Sequence, residues 1–174
     1  MRLGRSFRAV LLAVLIGEVA SYPSRLLAGE DGLVSFDDYG QLAVPMTAAA
    51  IALALRDVPG LTALAVLSVA TMTATHGAKL VIGARRPSGG HGSFPSGHTA
   101  SAFMGASFLH YRYGVIAAVP FYLTAALVGL DRVESRKHYW IDVLGAAALA
   151  NIVALLVLRR TQPRLRRRRG LTPD

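Results

Sequence analysis

The chain has 174 residues, enough for one domain, and 53% of them are hydrophobic against 17% charged. That apolar share, with a mean hydropathy of +0.43, exceeds what a small soluble core needs. The formal charge of +9 does not mark a nucleic-acid binder, which has no use for several long apolar runs, and the lack of cysteine excludes a disulfide framework, a thiolate nucleophile and a zinc–thiolate site.

A helix crosses a bilayer with about 20 mostly apolar residues. Such stretches predict spans at 7–28, 40–55, 61–83, 97–111, 114–131 and 139–158, an all-α integral-membrane bundle of six transmembrane helices forming one domain over 1–174. Gly29 and Gly32, Pro59 and Gly60, the segment from Pro87 to Gly92, and Gly114 punctuate the gaps. Small residues recur within the spans, as from Ser101 to Ser107 and from Gly145 to Ala148, which suits close helix contact in lipid. The start of the chain also has the outline of a secretory signal peptide, with Arg2, Arg5 and Arg8 ahead of an apolar run and Val19-Ala20-Ser21. Glu18 and the even helix count favour an uncleaved span instead.

Six spans place both termini on one side. That side carries 12 of the 19 Lys and Arg residues, including Arg56, Arg112 and the tail from Arg159 to Arg169. The positive-inside rule makes it cytoplasmic, so the basic tail at about 159–174 reads as a topology and anionic-lipid anchor. The expected location is the plasma (inner) membrane of a bacterium, with the opposite face in the periplasm or exterior.

Three clusters share that outer face. Lys79 to Pro87 closes the third span, Phe94-Pro95-Ser96-Gly97-His98-Thr99 opens the fourth, and Asp131-Arg132, His138 and Asp142 join the fifth to the sixth. Together they read as one anion site. Lys79, Arg86 and Arg132 bring three positive charges, with Arg offering a planar fork for phosphate oxygens and Lys a point charge. Ser96 and Gly97 stand at a helix start, where unpaired backbone N–H groups and the helix dipole favour an anion. His138 and Asp142, four residues apart at the start of the sixth helix, share a face, so the carboxylate can hold one ring nitrogen and leave the other as nucleophile. His98 is then available as acid and base. No carboxylate cluster with metal-ligand spacing accompanies them, so no metal or other cofactor is expected.

The pattern K-x6-R-P, P-S-G-H and R-x5-H-x3-D, running from Lys79 to Asp142, resembles the type 2 phosphatidic acid phosphatase superfamily, in its six-helix membrane branch. The resemblance implies that Lys79, Arg86, Ser96, Gly97 and Arg132 bind phosphate. It further implies that His138 attacks phosphorus, Asp142 orients it, and His98 protonates the leaving oxygen and later activates water. One position departs: Asp131 stands where the family usually has a phosphate-binding Ser.

The implied activity is metal-independent removal of phosphate from a membrane lipid phosphate or diphosphate through a phosphohistidine. Phosphatidate, phosphatidylglycerophosphate, undecaprenyl diphosphate and lipid A 1-phosphate are the candidate substrates, and a lipid phosphotransferase with the same intermediate is the alternative. Short loops leave little protein outside the bilayer to enclose a large soluble substrate. His91 reads as a solvent-exposed loop residue, His76 as second to the cavity or in touch with substrate, His110 as lying at the cytoplasmic end, and Tyr139 and Trp140 as interfacial anchors.

Overall fold

The computed structural model describes residues 36–161, which form five helices in the order α1 (Phe36–Ala54), α2 (Val58–Ile82), α3 (Gly97–Tyr113), α4 (Val115–Glu134) and α5 (Trp140–Thr161). They fall on the last five expected spans. The first span, with Glu18, and most of the basic tail lie outside the described residues. Among the described helices three are long and apolar enough to cross a membrane: α2, α4 and α5. The apolar part of α1, Gly40–Ala54, is shorter, and α3 has 17 residues, so the expectation of six spans is met only in part.

Local chemistry sets the ends. Asp57 caps α2 by accepting from the Gly60 N–H at 3.0 Å, with Pro in the first turn where its missing donor costs nothing. Ser96 caps α3, its hydroxyl accepting from the Thr99 hydroxyl at 3.0 Å. Helix α5 begins at Trp140, so His138 lies in the turn before it rather than on its first turn. The reason is that the Asp142 carboxylate reaches back to the Tyr139 N–H at 2.8 Å, half of a capping box that fixes the helix start.

Helix α3 is the hub, packing against the other four. Its buried face is mostly small, from Ala100 and Ala102 to Gly105 and Ala106, closed by Phe108 and Leu109. A Cβ at Gly105 would stand 2.7 Å from the Pro45 nitrogen, so only glycine lets the α1 and α3 backbones approach this closely. Large apolar side chains turn outward instead: Leu80 and Val81 are 87% and 86% exposed, the reverse of a water-soluble bundle. Away from the three sequence clusters, the Tyr122 hydroxyl donates to Asn151 Oδ1 at 2.9 Å and Ser107 donates to the same oxygen at 3.0 Å, tying α3, α4 and α5 together.

Candidate active site

At one end of the bundle Lys79, Arg86, Gly97, His98, Arg132 and His138 line a single cavity of about 770 Å³. Residues more than fifty positions apart meet there because α2, α3 and α4 and the turn before α5 all deliver their ends to the same place.

The connection from α2 to α3 is built tightly. The Arg86 N–H donates to the Gly90 carbonyl at 2.6 Å, and the Ser93 N–H to the Ala84 carbonyl at 2.9 Å. Backbone pairing of Arg85 with His91 draws the two limbs of the loop together. Lys79, the last basic residue of α2, donates from Nζ to the Gly92 carbonyl at 2.6 Å. The Phe94 ring lies on α5 at Gly145, where a Cβ would fall 2.3 Å from the ring, so glycine is required for this contact. Arg86 carries a buried Nε with no hydrogen-bond partner among the described residues, a donor set suited to an incoming anion.

The α4-to-α5 turn places the second histidine. The Arg132 carbonyl accepts from the N–H groups of Lys137 and His138, each at 3.0 Å. Arg132, His138 and Asp142 are 4%, 3% and 2% exposed, a buried trio of two basic groups and one acid. His138 Nδ1 stands 3.5 Å from Asp142 Oδ2. Burial, followed by the charges of Lys79 and Arg86, pushes the His138 imidazole down to about 4 against the opposing pull of Asp142. At neutral pH the ring is therefore uncharged and has a lone pair to offer.

Of the eight residues expected to catalyse or to bind phosphate, two do not line the cavity. Asp142 stands behind His138, and Ser96 is fully buried, with its N–H on the Asp142 carbonyl at 3.1 Å. The α3 N-terminus still brings Gly97, its first helical residue, to the cavity wall. His76 lines the cavity and donates from Nδ1 to the Met72 carbonyl at 2.8 Å, whereas His91, His110 and Asp131 do not line it. No group of His, Asp and Glu arranged to hold a metal occurs among the described residues. Sequence reasoning missed Ser93, fully buried, whose hydroxyl donates to Asp142 Oδ2. It also missed the α1 wall, where Gln41 and Met46 face the cavity. The only signal for Ser93 was its place directly ahead of Phe94 in the second cluster.

The sequence pattern of the PAP2 superfamily matches residues 59–166, more than half of the chain. The chain belongs to the PAP2 superfamily. It is similar to the lipid A 4'-phosphatase of Helicobacter pylori, 28% identical over 157 residues that cover 82% of this chain and 79% of the relative. It is also 41% identical over 88 residues to lipid phosphate phosphatase 1 of Arabidopsis thaliana, covering 42% of this chain and 27% of that protein. A lipid A 1-phosphatase of Porphyromonas gingivalis is 38% identical over 82 residues, 45% of this chain and 18% of the relative. The chain thus spans most of the first relative and about a quarter or less of the other two. No solved structure matches it significantly. PAP2 membership, together with relatives that are lipid phosphatases, makes this chain a phosphatase.

Proposed function

We propose that this PAP2 protein is an integral-membrane enzyme that removes phosphate from a lipid phosphate through a phosphohistidine on His138. The observation that carries the reading is the shape of the cavity. From Lys79 it continues along one face of α2 past His76, Met72, Thr71, Ser68, Ala65 and Leu64 to Leu61, with Leu42, Pro45, Met46 and Ala49 of α1 opposite. At 1.5 Å per residue that stripe runs about 27 Å, close to the roughly 30 Å hydrocarbon thickness of a bilayer. A charged head at one end and an apolar trough below it match a phosphate on a hydrocarbon tail.

In this reading Lys79, Arg86 and Arg132 neutralise the phosphate, joined by the N–H of Gly97, while Ser96, buried behind the cavity, caps the helix start that presents it. Neutral His138 attacks phosphorus from Nε2 while Asp142 holds the proton on Nδ1. His98 protonates the leaving oxygen. It then takes a proton from water, which opens the phosphohistidine and releases inorganic phosphate. Three cations already balance the charge of the transferring group, so the chemistry needs no metal. The six spans, the single domain over 1–174 with its basic cytoplasmic tail, and an outward-facing site complete the proposal, supported by the Lys and Arg asymmetry.

The test is turnover of a lipid panel by the purified enzyme in EDTA: acylated sugar phosphates such as lipid A, phosphatidate, phosphatidylglycerophosphate and undecaprenyl diphosphate. The similarity to the Helicobacter pylori lipid A 4'-phosphatase, which extends over 82% of this chain, puts lipid A first in that panel. Release of inorganic phosphate from at least one lipid is expected. Transfer to an added alcohol without release would make it a phosphotransferase, and no turnover of any lipid would refute the proposal.

A further inference from the structure

A carboxylate that orients a nucleophilic histidine is useful only if it is itself held, and the structure shows what holds Asp142. Its Oδ2 accepts from two sides, from the Tyr139 N–H at 2.8 Å and from the Ser93 hydroxyl, and the same oxygen faces His138 Nδ1 at 3.5 Å. The first donor belongs to the start of α5 itself. Ser93 arrives from the α2–α3 loop, 49 positions away, and is fully buried. Its own position is fixed twice, by its N–H on the Ala84 carbonyl at 2.9 Å and by the neighbouring Phe94 ring seated on Gly145. The residue before it, Gly92, gives its carbonyl to Lys79 Nζ at 2.6 Å. Two successive loop residues therefore reach the phosphate-binding lysine and the carboxylate behind the histidine.

We propose that Ser93 is a positioning residue: its hydroxyl pins the Asp142 carboxylate so that the proton of His138 stays on Nδ1 and Nε2 stays aimed at phosphorus. The inference rests on the reading of His138 as nucleophile and Asp142 as its orienter. With the hydroxyl gone, one donor from the α5 cap remains, and the carboxylate gains freedom to rotate about its own side chain. Misplacement of this kind acts on the reaction geometry and not on the capture of phosphate.

The experiment is a double-mutant cycle of Ser93→Ala and Asp142→Asn, with kcat and KM measured on a nitrophenyl phosphate and melting followed in detergent. Ser93→Ala is expected to lower kcat about 10- to 100-fold with little change in KM. Because Ser93 acts through Asp142, the double variant should be no slower than Asp142→Asn alone. Histidine-labelled nitrogen spectra should show one His138 tautomer in the parent and a mixture in Ser93→Ala. If Ser93→Ala does not fold, Ser93→Cys keeps the shape while exchanging a strong donor for a weak one, and is expected to show the same loss. Multiplying losses in the double variant, an effect confined to KM, or an unchanged kcat with Asp142→Asn disabled would overturn the role of Ser93 and leave the nucleophile reading standing. Full activity in Asp142→Asn would overturn both.

Discussion

His138 Nδ1 and Asp142 Oδ2 face each other at 3.5 Å across the start of α5, both almost without solvent exposure. The distance is longer than a formed hydrogen bond, and catalytic bonds of this kind often tighten only when substrate is bound. Burial and the nearby cations keep the ring neutral, and a phosphate dianion entering the cage would offset those same cations. On the proposed reading, binding would therefore raise the proton affinity of the histidine just when negative charge arrives beside it.

The first expectation concerns that titration. In the phosphate-free protein the His138 ring should titrate at about 4, well under the ordinary histidine value of 6.5. The unfolded chain takes up this proton at higher pH than the folded one, so this histidine favours folding fully above about pH 6.5 and progressively less as pH falls towards 4. Arg86 lowers the value, so Arg86→Ala should raise the midpoint. Proton NMR of the histidine ring signals reads both numbers. A midpoint at or above 6.5 in the folded parent would contradict the buried, cation-flanked site.

The trough along α2 gives a second expectation. Ala65 lines the cavity in the first third of that helix, well away from Lys79, and is exposed, so Ala65→Trp puts bulk into the trough without disturbing the core. Contacts in an apolar pocket discriminate by roughly 10- to 200-fold, so kcat/KM for a lipid phosphate should fall by roughly tenfold or more. A nitrophenyl phosphate, which has no tail, should be turned over as before. Equal losses on both substrates would mean that the trough does not hold the lipid.

How much of this was legible in the sequence differs from feature to feature. Five of the six expected spans coincide with helices because apolar runs broken by Gly and Pro are local signals. The cage of Lys79, Arg86, Gly97, His98, Arg132 and His138 was legible because fixed spacings bring each side chain to a helix end. The exact start of α5 was not, since it depends on the Asp142 side chain turning back to Tyr139. Ser93 and the α1 wall of the trough were missed for a related reason: each matters through a partner far along the chain, and no local pattern marks such a pairing. The same holds for Asp57, whose partners lie 55 and 56 residues on.

Asp57 supplies a third expectation, about stability alone. Its carboxylate caps α2 and accepts from Arg112 Nε at 2.7 Å and from the Tyr113 hydroxyl at 2.9 Å, clamping the end of α3 to the start of α2. Loss of a helix cap and of partly buried charged hydrogen bonds should cost about 2 kcal/mol. Asp57→Ala should therefore melt several degrees lower in detergent while keeping its kcat. An unchanged melting temperature would show that solvent or lipid replaces the clamp.

Topology is the fourth. The parent has no cysteine, so single cysteines report cleanly. Ser88 is exposed in the α2–α3 loop beside the site, and Thr172 belongs to the basic tail. In intact cells a membrane-impermeant thiol reagent should label Ser88→Cys and spare Thr172→Cys. The reverse pattern would place the active site in the cytoplasm and overturn the charge-based orientation.

The last expectation separates the two histidines by the leaving group. If His138 forms the covalent bond, its removal abolishes the phosphoenzyme whatever departs. If His98 is the acid, its loss matters most when the departing oxygen is a poor leaving group that must be protonated. General acid catalysis contributes about 100- to 10,000-fold, and that is the span within which an activated ester should rescue His98→Ala. A nitrophenolate departs without much protonation, so His98→Ala should form phosphoenzyme from a nitrophenyl phosphate far better than from a lipid phosphate. The phosphoenzyme should also accumulate, because the water that opens it has lost its base. His138→Ala should carry no covalent phosphate from either substrate, as judged by acid-labile label retained after denaturation in base. Label on the His138→Ala protein would show that another residue is the nucleophile, and equal impairment of His98→Ala on both esters would remove His98 from the role of acid.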